Sequence, residues 1–92
     1  MKIYNHFING VYSEPNTGNY FETENPYTGE VWAKIARGNI VDVDKAVIAA
    51  QKAYDNDWAV LKATERGKLL NHLALIIERE CVRLGELEVK DN

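Results

Sequence analysis

The amino-acid sequence predicts an α+β arrangement in which two N-terminal β-hairpins precede two α-helices. Three observations predict it. Asn9-Gly10 and the turn-rich Asn25–Gly29 stretch each lie between short β-prone runs. After Gly38 the apolar period changes from two residues to about 3.6, and two amphipathic stretches then fill the remainder of the chain.

In "HFINGVYSE" the runs Tyr4–Ile8 and Val11–Ser13 flank Asn-Gly, the dipeptide best suited to the two positive φ angles of a type I′ turn, so the first hairpin spans them. Pro15, Asn16, Gly18 and Asn19 follow as turn formers and predict an exposed, mobile loop. Tyr20–Glu24 and Glu30–Ala36 are the strands of the second hairpin. Between them Pro26 pushes Asn25 out of the helical region, and Val31, Ala33 and Ile35 alternate with Trp32, Lys34 and Ala36. This β-hairpin region covers 1–38.

Helix one is expected over 42–55, with Val43, Ala46, Val47, Ala50, Ala53 and Tyr54 on one face. Asp42 is its expected N-cap, Asp44 and Lys52 suit the two ends of the helix dipole, and Asp55–Asp57 mark its exit. Helix two is expected over 64–91, capped by the Thr64 hydroxyl. Its apolar stripe runs through Leu69, Leu70, Leu73, Ile76, Ile77, Cys81, Leu84 and Leu87. A continuous helix of that length is roughly 40 Å long, more than the roughly 30 Å diameter of a small domain, so it should overhang what these residues can build alone. Gly85, which costs about 1 kcal/mol in a helix interior, is the expected place for a bend.

The 92 residues make one domain at most, and a chain this short buries only about 60–65% of the surface its unfolded form exposes. With 46% hydrophobic and 27% charged residues the composition is that of a globular protein. Eleven Lys plus Arg against fourteen Asp plus Glu give a net charge of −3, which supplies no basic field for nucleic acid. No apolar run is long enough to span a membrane, and a lone cysteine cannot form an internal disulfide. The polar "MKIYNHFING" start lacks a signal-peptide core, so a reducing, cytoplasmic setting is expected.

Residues able to do chemistry are few. Cys81 falls on the apolar stripe, where a buried packing role is expected of a free cysteine. His6 and His72 have no partner at metal-ligand spacing and read as surface or interfacial histidines. Glu78, Glu80, Glu86 and Glu88 read as a solvated helix face. Neither G-x-G-x-x-G nor the P-loop pattern is present, so no loop is built to cradle phosphate. Trp32, Trp58 and the five tyrosines are expected to pack the core.

Four phrases in order carry a family resemblance: "FING" at Phe7–Gly10, "NPYTGEVWAKIARG" at Asn25–Gly38, "DVDKAVIAAQKAY" at Asp42–Tyr54 and "ATERGKLLNHLALIIE" at Ala63–Glu78. Together they resemble the beginning of the NAD(P)-dependent aldehyde dehydrogenase superfamily, and hence the opening part of a larger α/β fold. The closing "ELEVKDN" is similar to the stretch where, in that family, helix two runs on toward the dinucleotide-binding domain. The chain is therefore expected to be a partial domain that stops before that domain begins.

The resemblance implies a reaction in which a cysteine thiolate attacks an aldehyde, hydride passes to the nicotinamide, and water activated by a glutamate releases the acid. Neither the nucleophile nor the general base matches any residue of this chain, so no catalytic or cofactor-binding residue is assigned. NAD or NADP is implied for the family and no cofactor for this chain alone. Thr23 and Glu24 match positions whose backbone carbonyls help hold a monovalent cation in some members; a plain strand end is the alternative reading. The expected function is an N-terminal oxidoreductase segment, silent alone. Its partner would be the remainder of an aldehyde dehydrogenase subunit, or a second copy met through helix two. The alternative is a small non-enzymatic interaction module that docks onto dehydrogenase subunits.

Overall fold

A computed structural model describes residues 1–92. Five short strands come first: β1 (Lys2–Tyr4), β2 (His6–Ile8), β3 (Val11–Ser13), β4 (Tyr20–Glu24) and β5 (Val31–Ala36). Helix α1 (Ile40–Ala53) leads into a π-helical turn at Tyr54–Trp58, and α2 (Ala63–Arg79) and α3 (Cys81–Asp91) complete the chain. The α+β class and both hairpins are as the sequence predicts.

At the first hairpin Asn9 (φ 55°) and Gly10 (φ 77°) both occupy the left-handed region that a type I′ turn requires. The predicted first strand is nevertheless divided. Residues His6–Ile8 pair antiparallel with Val11–Ser13, whereas Lys2–Tyr4 leave the hairpin and pair parallel with Ala33–Ile35. A three-stranded sheet of order β1-β5-β4 results, and local turn chemistry could not announce it because the β1–β5 partners are some thirty residues apart. Between Thr23↔Ala33 and Glu24↔Val31 the ladder skips Trp32, a β-bulge that releases this residue from pairing with β4.

The core sits on β5, the central strand. Ala33 (0% exposed) and Ala36 (7%) are its buried apolar residues, and no large side chain is fully buried. Aromatic packing is peripheral: Tyr4 and Trp32 meet edge to face at 6.0 Å, and Tyr20 Oη donates to Asn5 Oδ1 at 2.8 Å. Tyr27, Tyr54 and Tyr12 stay in solvent, contrary to the expectation that the aromatics as a set form a core.

Helix one starts earlier than predicted, and its N-cap is Asn39 in place of Asp42. The two residues form a capping box: Asp42 N–H donates to Asn39 Oδ1 (3.1 Å) and Asn39 N–H donates back to Asp42 Oδ2 (3.2 Å). Asp42, buried at 6% exposure, also accepts from Asn16 N–H with both carboxylate oxygens (3.1 and 3.2 Å). His6 Nε2 lies 3.3 Å from Asp42 Oδ2 without hydrogen-bond alignment, so that contact is Coulombic. One carboxylate thus joins the first hairpin, the following loop and α1. The loop is anchored where free mobility was expected, since Pro15 is buried and Asn16 is held.

Helix two also differs from its prediction. Its first turn is closed by Lys62 N–H donating to Glu65 Oε2 (3.0 Å), and Thr64 lies inside the helix. The predicted single helix breaks at Glu80 (φ −97°, ψ 9°) into α2 and α3, five residues before Gly85, and α3 passes through Gly85 without interruption. The Glu80 carboxylate accepts from Arg83 Nε at 2.9 Å and lies 3.7 Å from Arg79 Nε. After the break α3 turns onto the sheet, where Leu87 is half-buried, Lys90 Nζ stands 4.9 Å above the Trp32 ring and Thr23 Oγ1 donates to Asp91 Oδ1. These contacts are available only if the helix changes direction.

Burial pushes the Asp42 carboxyl up. Hydrogen bonds from Asn16 and Asn39 and the adjacent His6 outweigh that effect and hold it below its usual 3.8. Because the folded-state value is depressed, the stabilisation is present above the ordinary carboxylate range and is lost as pH falls below it. Circular-dichroism melts of the chain should therefore lose stability on acidification below about pH 4, and Asp42→Asn should flatten that dependence. Asn39→Ala should cost about 1 kcal/mol at neutral pH. Acid profiles that superimpose for Asp42→Asn and the parent would contradict the assignment.

Candidate functional site

Apolar residues recur along α2 at helical spacing, and the fold leaves them uncovered. Leu69 (51%), Leu70 (56%), Leu73 (51%) and Ile77 (50%) are about half-exposed, with Ile76 at 37%. Beyond its junction with α3, α2 has no sizeable packing partner. The Cα radius of gyration is 16.6 Å, against roughly 12 Å for a compact chain of this length. The surface is 7509 Å², about 2,100 Å² more than the roughly 5,400 Å² of a compact monomer of this mass. An excess of that size per chain is on the scale of an obligate interface. The roughly 40 Å helix expected to overhang is not formed, since it breaks at Glu80, but the stripe on α2 is left uncovered.

A second surface lies between α3 and the sheet. Tyr4, Trp32, Ile35, Leu87, Glu88 and Asp91 line an open cavity of about 310 Å³. Trp32 reaches it because the bulge frees that residue from the β4 ladder, and its Nε1 is buried with no hydrogen-bond partner. An apolar floor with two carboxylates at one rim can pack a chain segment; it contains no thiol and no histidine.

The residues singled out for chemistry do not converge. Cys81 is exposed at the start of α3, correcting the expectation that it is buried: the apolar stripe it was read onto is itself left uncovered. His6 faces Asp42, and His72 is an exposed residue of α2. Thr23 and Glu24 end β4 beside the bulge, with the Thr23 side chain held by Asp91. No three His, Cys, Asp or Glu side chains come together as a metal-binding group.

The residues present do not fit a dinucleotide either. A helix N-terminus after a strand is where a phosphate would bind. At α1 that position is filled by the chain's own Asp42 carboxylate, which takes the Asn39 and Asn16 amides. No helix crosses between the parallel strands β1 and β5 in the manner of a βαβ unit, because β2, β3 and β4 intervene.

The sequence profile of the aldehyde dehydrogenase family matches residues 12–92. The chain belongs to the aldehyde dehydrogenase family. It is 46% identical over 88 residues to the mitochondrial aldehyde dehydrogenase of Rattus norvegicus, an alignment covering 94% of this chain and 17% of that protein. It is 40% identical over 92 residues to (Z)-2-((N-methylformamido)methylene)-5-hydroxybutyrolactone dehydrogenase of Acinetobacter baylyi, covering 99% and 18% respectively. An NAD+ complex of aldehyde dehydrogenase from Bacillus cereus superposes with a TM-score of 0.94 at 37% identity, covering 99% of this chain and 19% of that one. The chain thus spans less than a fifth of the length of these relatives.

Sequence reasoning placed the apolar stripe of α2 correctly and missed the Asp42 junction. The Asn39-x-x-Asp42 spacing was a usable signal, since it is the capping-box pattern with Asn and Asp in the two roles. Nothing local pointed to Asn16 or His6. The exposure of Cys81 predicts that in a dilute sample of the folded chain a thiol reagent modifies it at a rate within about threefold of that in denaturant. Protection by tenfold or more would place Cys81 back in a core.

Proposed function

We propose that this chain is the opening segment of an NAD(P)-dependent aldehyde dehydrogenase subunit, supplying packing surface and no reacting group. The observation that carries the reading is the α2 stripe: a chain whose backbone superposes on a dehydrogenase leaves Leu69, Leu70, Leu73 and Ile77 about half-exposed, within a total surface about 2,100 Å² larger than a compact monomer of its mass has. The remainder of such a subunit is the cover that fits the family.

Under this proposal the segment alone is catalytically silent, and NAD or NADP is held by residues outside these 92 positions. Cys81 is exposed and forms no hydrogen bond, and the α1 N-terminus already carries a carboxylate. The monovalent-cation reading of the Thr23 and Glu24 carbonyls belongs to the same proposal. Its support is the bulge, which breaks the regular ladder at this strand end. The cytoplasmic setting belongs there too, supported by the lone unpaired Cys81.

Two measurements test the reading. Mixed with NAD+ or NADP+ and a short aliphatic aldehyde, the 92-residue chain should form no reduced nicotinamide above the uncatalysed rate. Grafted in place of the matching segment of the Bacillus cereus enzyme, it should give a soluble chimaera whose kcat/KM lies within about tenfold of the parent. Turnover by the chain alone, or a folded but inactive chimaera, would refute the proposal.

A further inference from the structure

The tip of the first hairpin carries a reactive pair of groups. Asn9 is the one asparagine of this chain followed by glycine, so no side chain stands beside the Gly10 nitrogen to hinder its attack on the Asn9 amide. Both residues are exposed, and a Cβ placed on Gly10 would meet nothing within 4 Å. The Gly10 N–H donates to no backbone carbonyl, and the Asn9 side chain makes no hydrogen bond. Asn5, Asn25 and Asn39, by contrast, each accept a hydrogen bond with Oδ1. Asn25 also precedes Pro26, which has no N–H to offer. The strands β2 and β3 have three residues each and form a two-stranded ribbon, a unit of marginal stability by itself, so the turn can leave its left-handed geometry at little cost.

We infer that Asn9-Gly10 is a self-modification site, at which the hairpin alters its own backbone with water as the only co-reactant. The Gly10 nitrogen bonds to Asn9 Cγ, the Cγ–Nδ2 bond breaks, and the side-chain nitrogen leaves as ammonia carrying the Gly10 amide proton. A five-membered imide results. Water opens it at either carbonyl, giving aspartate or the isomer whose main chain runs through the side-chain carboxyl. Nothing is oxidised or reduced, and at neutral pH each product carries one more negative charge than the parent's −3. The two products differ in consequence. Asp-Gly suits the type I′ turn as Asn-Gly does. The isoaspartyl form adds a carbon to the backbone inside a two-residue loop, so the register from Ile8↔Val11 down to His6↔Ser13 is lost. His6 then leaves Asp42, and the junction loosens.

Ageing the full chain in warm, mildly alkaline buffer tests this. Peptide mass mapping should show Asn9 gaining about 1 Da at least about tenfold faster than any other asparagine, a barrier difference of about 1.4 kcal/mol. Protein isoaspartyl methyltransferase should label the aged chain, and Asn9→Gln, whose longer side chain closes a ring less readily, should abolish the label. The isoaspartyl fraction, separated by chromatography, should melt about 5 °C below Asn9→Asp, which carries the same charge on an unaltered backbone. Conversion at Asn9 no faster than elsewhere, labelling that survives in Asn9→Gln, or an isoaspartyl form as stable as Asn9→Asp would overturn the inference. None of these readouts depends on aldehyde oxidation, so their failure would leave the dehydrogenase reading intact.

Discussion

The fold is organised around the Asp42 carboxylate. It is the one charged side chain the structure buries, and it is surrounded by donors: the Asn16 and Asn39 amides, with His6 at Coulombic distance. A buried carboxylate without partners would be strongly unfavourable, so these groups must be in place whenever the chain is folded. They come from three regions, namely the first hairpin, the loop after it and the start of α1. In a molecule with no fully buried large side chain, a polar junction takes the place that a hydrophobic core fills elsewhere.

The same junction bears on function by exclusion. A helix N-terminus is an anion site, and here the chain supplies the anion itself. The first strand-to-helix passage, which in a dinucleotide-binding unit would receive pyrophosphate, is therefore committed to holding the hairpin and loop onto α1. What the segment offers outward is apolar surface on α2 and the shallow face beside Trp32.

Two breaks in regularity shape that surface. The bulge at Trp32 sets an indole against Tyr4 and beneath Lys90, and the turn at Glu80 lets α3 reach it. With α3 folded onto the sheet, α2 projects alone, and its stripe faces solvent. An unbroken helix would have kept Leu84 and Leu87 in line with Leu73 and left the sheet bare on that side.

By itself the sequence determined the α+β class, the Asn9-Gly10 turn, the second hairpin and the apolar stripe of α2. Each depends on local φ preference or on side-chain period, which a short window of residues contains in full. The family likewise rests on phrases readable in order. Only the tertiary structure decided that Lys2–Tyr4 joins β5, that Asp42 accepts from Asn16 and approaches His6, that the helix breaks at Glu80, and that Cys81 is exposed. Those outcomes depend on which distant groups meet: a strand's partner, a carboxylate's donors and a helix's direction are settled by contacts between segments, and periodicity along one segment carries no record of them.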